Sequence, residues 1–263
     1  MTRLNLHDLK NISKNKEKII ALALYGKNIA EIADNSADII LVGDSLGMTL
    51  YGMDSTLPVN LDMMIEHGKA VVKATKKSFI TIDMNFGSYQ LSKEQAFKNA
   101  AKIIAKTGAN AIKLEGGEIY ADTIKFITDR GIAVLGHAGL LPQSFNQLGG
   151  YKIQGGDKTS DKKIINDVIA LEKSGCFAVV IEGVKADLIK KIKQKSNIPL
   201  IGIGANNLCD GQILVADDLL GLTSKQPKFV KKYANLRSDI DKAFKQYAQE
   251  VKETKFPDKN HTY

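Results

Sequence analysis

The sequence has no tryptophan, and only two cysteines and five prolines among its 263 residues. Cys176 and Cys209 show no paired spacing and no CxxC, so a disulfide framework is not expected and a thiol-keeping cytosol is the expected compartment. No apolar run reaches membrane-spanning length, and Met1–Lys18 is polar and lysine-rich with no apolar core. Secretion and membrane insertion are therefore not expected. No GxGxxG follows the first apolar segment, which weakens a dinucleotide-binding reading. Arginine is scarce beside lysine, and neither an arginine cluster nor an aromatic RNA-binding motif is present, so nucleic acid is not an expected partner. The net charge of +8 comes from lysines spread along the chain. Lys162, Lys163, Lys190, Lys191, Lys193 and Lys195 alternate with apolar positions, as on solvated helix faces. The excess is read as solubility, with a secondary pull on anionic substrates.

Against these absences stands a regular rhythm. Eight short apolar segments recur, at Ile19–Leu24, Asp38–Gly43, Phe79–Met84, Asn110–Glu115, Ile132–Gly136, Phe177–Glu182, Pro199–Gly204 and Gln212–Val215. Several are almost continuously apolar, as parallel strands covered on both faces must be. Most are separated by amphipathic stretches such as Ser92–Thr107, Asp161–Ser174 and Lys185–Lys195. Ser92 with Glu94 gives a capped helix start, and Gly108 and Gly175 stand where helices end. Alternating strand and helix implies a parallel sheet, and eight repeats suggest closure into a (β/α)8 TIM barrel. The length suits one such domain, and residues 1–263 are read as a single catalytic barrel with a C-terminal helical tail. That tail is expected to be helical from Lys228, with Phe229, Tyr233, Leu236, Ile240, Phe244 and Tyr247 at helical spacing. Two long connections, at about 44–78 and 137–160, are expected to be functional loops.

The acids fall where such a barrel keeps its chemistry, at the C-terminal ends of the strands. The second segment ends in Gly43-Asp44-Ser45, the third runs into Asp83, and the fourth ends in Lys113-Leu114-Glu115. The fifth ends in Gly136-His137 and the sixth in Ile181-Glu182. A single strand-end acid is as often a helix cap or an ion-pair partner, but five converging strands make that reading improbable for the set. Strand alternation turns Lys113 and Glu115 the same way. Three carboxylates without cysteine suit a hard cation such as Mg²⁺. Zinc fits less well, because only His137 of the four histidines is expected at this rim. A cation so held chelates a 2-oxo acid and stabilises the enolate formed at its neighbouring carbon. Lys113, His137 and Glu182 remain for charge stabilisation and general acid–base work. The residues thus suggest carbon–carbon bond chemistry at an enolisable keto acid, without identifying the acid.

The segments LVGDSLGM (41–48), GMDSTLPV (52–59), DMNFGSYQ (83–90), NAIKLEGG (110–117), GHAGLLPQSFNQLGGYKIQG (136–155) and CDGQILV (209–215) closely resemble the ketopantoate hydroxymethyltransferase family, in order and spacing, from about residue 19 to the C-terminus. The resemblance implies a barrel of the phosphoenolpyruvate/pyruvate superfamily. It implies transfer of a hydroxymethyl group from 5,10-methylenetetrahydrofolate to 3-methyl-2-oxobutanoate, giving 2-dehydropantoate and tetrahydrofolate on the route to pantothenate and coenzyme A. By the same resemblance Asp44 and Asp83 bind Mg²⁺, and Glu115 completes the metal site through water. Asp44, Ser45, Asp83, Lys113 and His137 contact the oxo acid, Glu182 is the catalytic base at carbon 3, and the assembly is a cytoplasmic homodecamer.

Five positions depart from the family pattern. Gly26 stands for a common Asp, Asn85 for a Pro, Gly156 for an Arg, Asp217 for a His and Asn260 for a Glu. None is a proposed metal ligand, the lysine, the histidine or the base; those at 26, 156 and 217 bear on folate handling, loop order or assembly. Two other readings compete. One is another Mg²⁺-dependent carbon–carbon or carbon–phosphorus enzyme of the same superfamily, in which Cys209 is the only candidate for a loop cysteine, although it reads better as a structural thiol. The other is a catalytically weakened barrel kept as a binding protein.

Overall fold

The structure, a computed structural model, describes residues 2–150 and 152–263. Met1 and Tyr151, the latter within the segment 136–155 singled out above, lie outside the described residues. Eight parallel strands close into a barrel in chain order: β1 (Ile19–Ala23), β2 (Ile39–Val42), β3 (Phe79–Asp83), β4 (Ala111–Lys113), β5 (Ala133–Gly139), β6 (Ala178–Glu182), β7 (Leu200–Ile203) and β8 (Gly211–Val215). All eight expected segments are strands, and β2 and β3 are buried at every position. That is the reason for their unbroken apolar runs: a parallel strand has helices on one face and the barrel interior on the other.

Around the strands run α1 (Leu6–Lys14), α2 (Lys27–Ala33), α3 (Leu46–Leu50), α4 (Leu61–Ala74), α5 (Lys93–Thr107), α6 (Ala121–Thr128), α7 (Phe145–Leu148), α8 (Lys158–Lys173) and α9 (Ala186–Lys193). The expected caps are in place. Ser92 Oγ accepts the Gln95 N–H at 3.1 Å, and Gly108 ends α5 at φ 74°. α8 starts before Asp161, because Asp157 caps it by accepting the Thr159 and Ser160 N–H groups at 2.9 Å each.

The N-terminal segment holds α1, opened by a capping box in which Asn5 and Asp8 satisfy each other's backbone N–H groups. Two expectations need correction. The long connections are shorter than expected, since 44–78 contains α3 and α4, and 137–160 contains the end of β5 and α7. His137 does not end the fifth strand: β5 continues to Gly139, with His137, Ala138 and Gly139 in register with Val180, Ile181 and Glu182. Gly139 makes that extension possible. Its φ is 93°, and a Cβ there would collide with the Glu182 carbonyl.

The chain divides into two compact units, one reaching Leu214 and the other Val215–Tyr263. The second carries α10 (Ala216–Leu219) and α11 (Leu236–Lys252). Helix α11 does not begin at Lys228 as its spacing suggested. The Tyr233 and Leu236 N–H groups bond to the carbonyls of Leu219 and Leu220 at 2.9 and 3.0 Å. Those donors therefore satisfy the open end of α10 instead of forming i to i−4 bonds. After α11 the tail folds back, setting Phe256 edge-to-face against Tyr247 with ring centroids 5.5 Å apart.

Among the departures from the family pattern, Gly26 is the N-cap of α2 and gives it no side-chain bond. An Asp there would accept a free N–H of the first turn. Gly156 has φ 110° and lies against the Lys185 side chain, so a larger residue would require both to move. Asn85 ties two loops by donating to the carbonyls of Val59 and Phe86 at 2.9 and 2.8 Å. Burial raises the pKa of Asp217 in α10, and the Asn260 N–H is held by Asp258 in the exposed tail. No helix among the described residues is long and apolar enough to cross a membrane.

Candidate active site

Register builds the first pair. Asp83 ends β3 and faces Lys113 of β4, and the Lys113 ammonium lies 2.7 Å from Asp83 Oδ1. Both side chains are buried. Burial opposes the charge on Lys113, but Asp83, Glu115 and Asp44 outweigh it and hold the ammonium more firmly protonated than usual. The Asp44 N–H donates to the other Asp83 oxygen, Oδ2, at 3.0 Å. That approach requires Gly43, where a Cβ would stand 2.9 Å from Ser45 Oγ and 3.5 Å from Asp83 Oδ2.

Glu115 follows β4 and is held from the next loop. The Gln143 N–H donates to Glu115 Oε2 at 2.9 Å, and the Gln143 side chain donates to Asp44 Oδ2 at 2.8 Å. Gln143 is itself buried, and its carbonyl oxygen accepts from the Tyr89 hydroxyl at 2.7 Å. On the other side, His137 Nδ1 lies 3.6 Å from Glu115 Oε1, and Nε2 lies 3.2 Å from Glu182 Oε2. Neither ring nitrogen has hydrogen-bond geometry, so these contacts act as ion pairs. Burial and Lys113 disfavour the imidazolium, yet the two glutamates prevail and push the His137 pKa up to about 9. Burial likewise disfavours the Glu115 anion, but His137, Lys113 and the Gln143 N–H together lower its pKa.

Asp44 is left in the opposite state. Burial, then repulsion from Asp83 and Glu115, raise its pKa well above the carboxylate range, although Lys113 and Gln143 oppose the shift. Asp83 is also raised, with burial outweighing Lys113. Four carboxylates thus face two cationic side chains, Lys113 and His137, in one buried cluster. Additional positive charge nearby would favour the ionised form of Asp44. No three acidic, histidine or cysteine side chains among the described residues already form a coordination cage. Mg²⁺ does not require one, because it binds through one or two carboxylates and keeps several waters. The donor set of Asp44, Asp83 and Glu115 fits that ion: hard oxygens, in excess over the local cations, with no sulfur among them.

The strand-end residues expected to converge do so, except that Ser45 meets the cluster from its edge. Ser45 is half-buried at the start of α3, and its hydroxyl lies 2.8 Å from the Tyr25 hydroxyl. The Tyr25 carbonyl lies 2.6 Å from His67 Nδ1, and the Tyr51 hydroxyl lies 3.0 Å from Nε2. His67 is therefore a second histidine near this rim, corrected from the expectation of one. It is two residues removed from the carboxylates, so the argument against zinc stands. Gln143, Tyr89 and Tyr25 lie in the connections beyond the strand ends and carry no charge, so acids and bases at strand ends do not reveal them. The available signal is a glutamine directly after the apolar run Gly139–Pro142. Cys209 lies before β8, where Lys18 at the foot of β1 donates to its carbonyl at 2.6 Å. That is the barrel end opposite the carboxylates, and burial pushes its thiol up.

The sequence matches the family described as ketopantoate hydroxymethyltransferase over residues 3–259. It is 49% identical over 250 residues to the 3-methyl-2-oxobutanoate hydroxymethyltransferase of Bartonella tribocorum, covering 95% of this chain and 92% of that protein. Among solved structures it resembles 2,3-dimethylmalate lyase, a PEP mutase/isocitrate lyase superfamily member, with TM-score 0.62, 13% identity, and coverage of 100% of this chain and 89% of that one. It also resembles a phosphonopyruvate hydrolase in complex with oxalate and Mg²⁺, with TM-score 0.62, 12% identity, and coverage of 98% and 93%. At such identities the structural likeness establishes the fold.

Proposed function

The chain belongs to the ketopantoate hydroxymethyltransferase family and is a transferase of that activity, and we propose that its acceptor is 3-methyl-2-oxobutanoate and its one-carbon donor 5,10-methylenetetrahydrofolate. The observation that carries the site assignment is Asp44, buried against two further carboxylates with its pKa raised well above the usual range. Asp44 and Asp83 hold a Mg²⁺ ion, and Glu115 completes its surroundings. When bound, that ion would supply the Lewis acidity that makes the hydrogen on carbon 3 of the oxo acid removable as a proton.

The chain's own residues do the rest. Lys113, 2.7 Å from Asp83 Oδ1, opposes the burial that disfavours the Asp83 anion and faces the carboxylate end of the oxo acid as a fixed positive charge. Ser45, held by Tyr25, offers a hydroxyl at the edge of the pocket. Glu182 removes the carbon 3 proton; it is the most exposed of the four acids, with 17% of its side chain accessible. His137, protonated with Nε2 3.2 Å from Glu182 Oε2, donates a hydrogen bond to the substrate. Water replaces both C–N bonds of the donor's methylene carbon, giving formaldehyde and tetrahydrofolate; the enolate carbon then forms the new C–C bond to formaldehyde, whose oxygen takes up the proton that Glu182 removed and becomes the hydroxyl. Residues 1–263 act as one catalytic domain with its helical tail, in the cytoplasm. The competing reading as another superfamily lyase or mutase loses its support because Cys209 lies at the far end of the barrel.

A coupled assay tests the substrate pair. Purified enzyme given 3-methyl-2-oxobutanoate, methylenetetrahydrofolate and Mg²⁺ is expected to form ketopantoate, and chelation of the metal should stop it. No ketopantoate under those conditions refutes the assignment. We further propose a homodecamer, supported by the apolar positions Ile240, Phe244, Tyr247 and Val251 of α11, a helix with no buried residue. Light scattering is expected to give a mass near ten subunits, and a monomer at micromolar concentration overturns this.

A further inference from the structure

We propose that Gln143 is a positioning residue that sets the affinity of this site for its divalent cation, fixing one oxygen of Asp44 and one of Glu115 with neutral N–H donors. This rests on the reading that those acids surround the cation. Gln143 is 6% exposed, and every hydrogen-bonding capacity of its side chain is used. Its amide nitrogen donates to Asp44 Oδ2 at 2.8 Å and to the Met84 carbonyl at 2.9 Å. Its amide oxygen accepts from the Tyr89 hydroxyl at 2.7 Å and from the Gln90 side chain at 3.3 Å. Its backbone N–H supplies the 2.9 Å bond to Glu115.

One residue after β5 thereby joins the ends of β2, β3 and β4. The local fold explains how it can. Residues Pro142–Ser144 form a single 3₁₀ turn opened by Pro142. The first N–H groups of a helical turn have no partner within it, so the Gln143 N–H is free to point out of the turn at Glu115. The amide chemistry matters as much as the reach. A lysine or arginine in this place would add positive charge that competes with a cation, and a glutamate would add a further buried anion. The side-chain amide orients Asp44 and the backbone N–H orients Glu115, and neither changes the charge. Fixing them in advance removes the ordering cost that the cation would otherwise meet on binding.

The test uses the full-length protein and Mn²⁺ alone, titrated calorimetrically or by the paramagnetic resonance of the free ion. Wild type is expected to bind and Asp44→Ala to bind far more weakly. Gln143→Met, which keeps volume and removes the side-chain amide bonds, including that to Asp44, while leaving the backbone N–H on Glu115, is expected to bind Mn²⁺ about 10–100-fold more weakly, the usual effect of losing a group that orients metal ligands. Its turnover should recover as Mg²⁺ is raised, with the KM for the oxo acid near wild type once the cation saturates; a general loosening of the pocket would not be rescued in this way. If Gln143→Met does not fold, Tyr89→Phe deletes the hydroxyl that anchors the amide oxygen at 2.7 Å and makes longer contacts, 3.2 and 3.3 Å, to the Glu115 backbone, and is expected to weaken Mn²⁺ binding several-fold. Unchanged Mn²⁺ affinity in whichever of these variants folds overturns the role of Gln143 while leaving the cation site intact. Absence of Mn²⁺ binding by wild type overturns the cation site itself, and the proposal with it.

Discussion

Asp44→Ala is expected to bring Mg²⁺-dependent ketopantoate formation down to background while the protein remains folded. Two effects act on its stability. The substitution leaves a buried N–H of Gln143 without its acceptor, which costs about 1–3 kcal/mol. It also removes a carboxylate that burial and two neighbouring acids disfavour. A carboxylate whose folded pKa is raised contributes stability below its unfolded value and loses it as pH rises through the folded one. At neutral pH its deletion therefore offsets part of the cost. Activity and stability should separate, with turnover lost and the thermal midpoint within a few degrees of wild type. Turnover against Mg²⁺ concentration and a melting curve provide the check. Full activity with an unchanged cation dependence would remove Asp44 from the metal site. Asp83→Ala is a poorer probe, because it leaves the buried Lys113 ammonium without its 2.7 Å partner. Breaking a buried pair from one side costs about 3–5 kcal/mol, enough to confuse lost chemistry with lost fold.

Glu182→Gln is expected to lower turnover by about 10²–10⁴-fold, the usual contribution of a positioned general base. The amide keeps the shape of the side chain but cannot accept the carbon 3 proton. Binding of the oxo acid should change little, because Lys113, Ser45 and the Asp44–Asp83 pair are untouched. The variant also removes one of the two anions that hold His137 protonated, so the imidazole pKa should fall from about 9. The decisive measurement omits the folate and follows exchange of the carbon 3 hydrogen of 3-methyl-2-oxobutanoate with deuterated water. Wild type is expected to exchange in the presence of Mg²⁺, and Glu182→Gln far more slowly. Exchange at the wild-type rate would place the base elsewhere, with His137 the next candidate.

The barrel was determined by the sequence alone, for a physical reason. Strands such as Ile39–Val42 and Phe79–Asp83 must be apolar throughout when both faces are covered, and caps such as Ser92 and Gly108 act within a few residues of where they stand. Local chemistry of this kind is written in linear order. It also brought Asp44, Asp83, Lys113, Glu115, His137 and Glu182 to one rim, because parallel strands of a closed barrel all end on the same side. What each group does to the others was decided only by tertiary structure. The Asp83–Lys113 pair depends on the β3–β4 register, and the raised pKa of Asp44 on burial beside residues distant in sequence. Gln143 stands 99 positions from Asp44 and is uncharged, so nothing in its local pattern marks it as the hub of the cluster. The start of α11 was misread for the same reason. Spacing records which residues suit a helix, but the Tyr233 and Leu236 donors were drawn to carbonyls at the end of α10, a competition that only the folded chain decides.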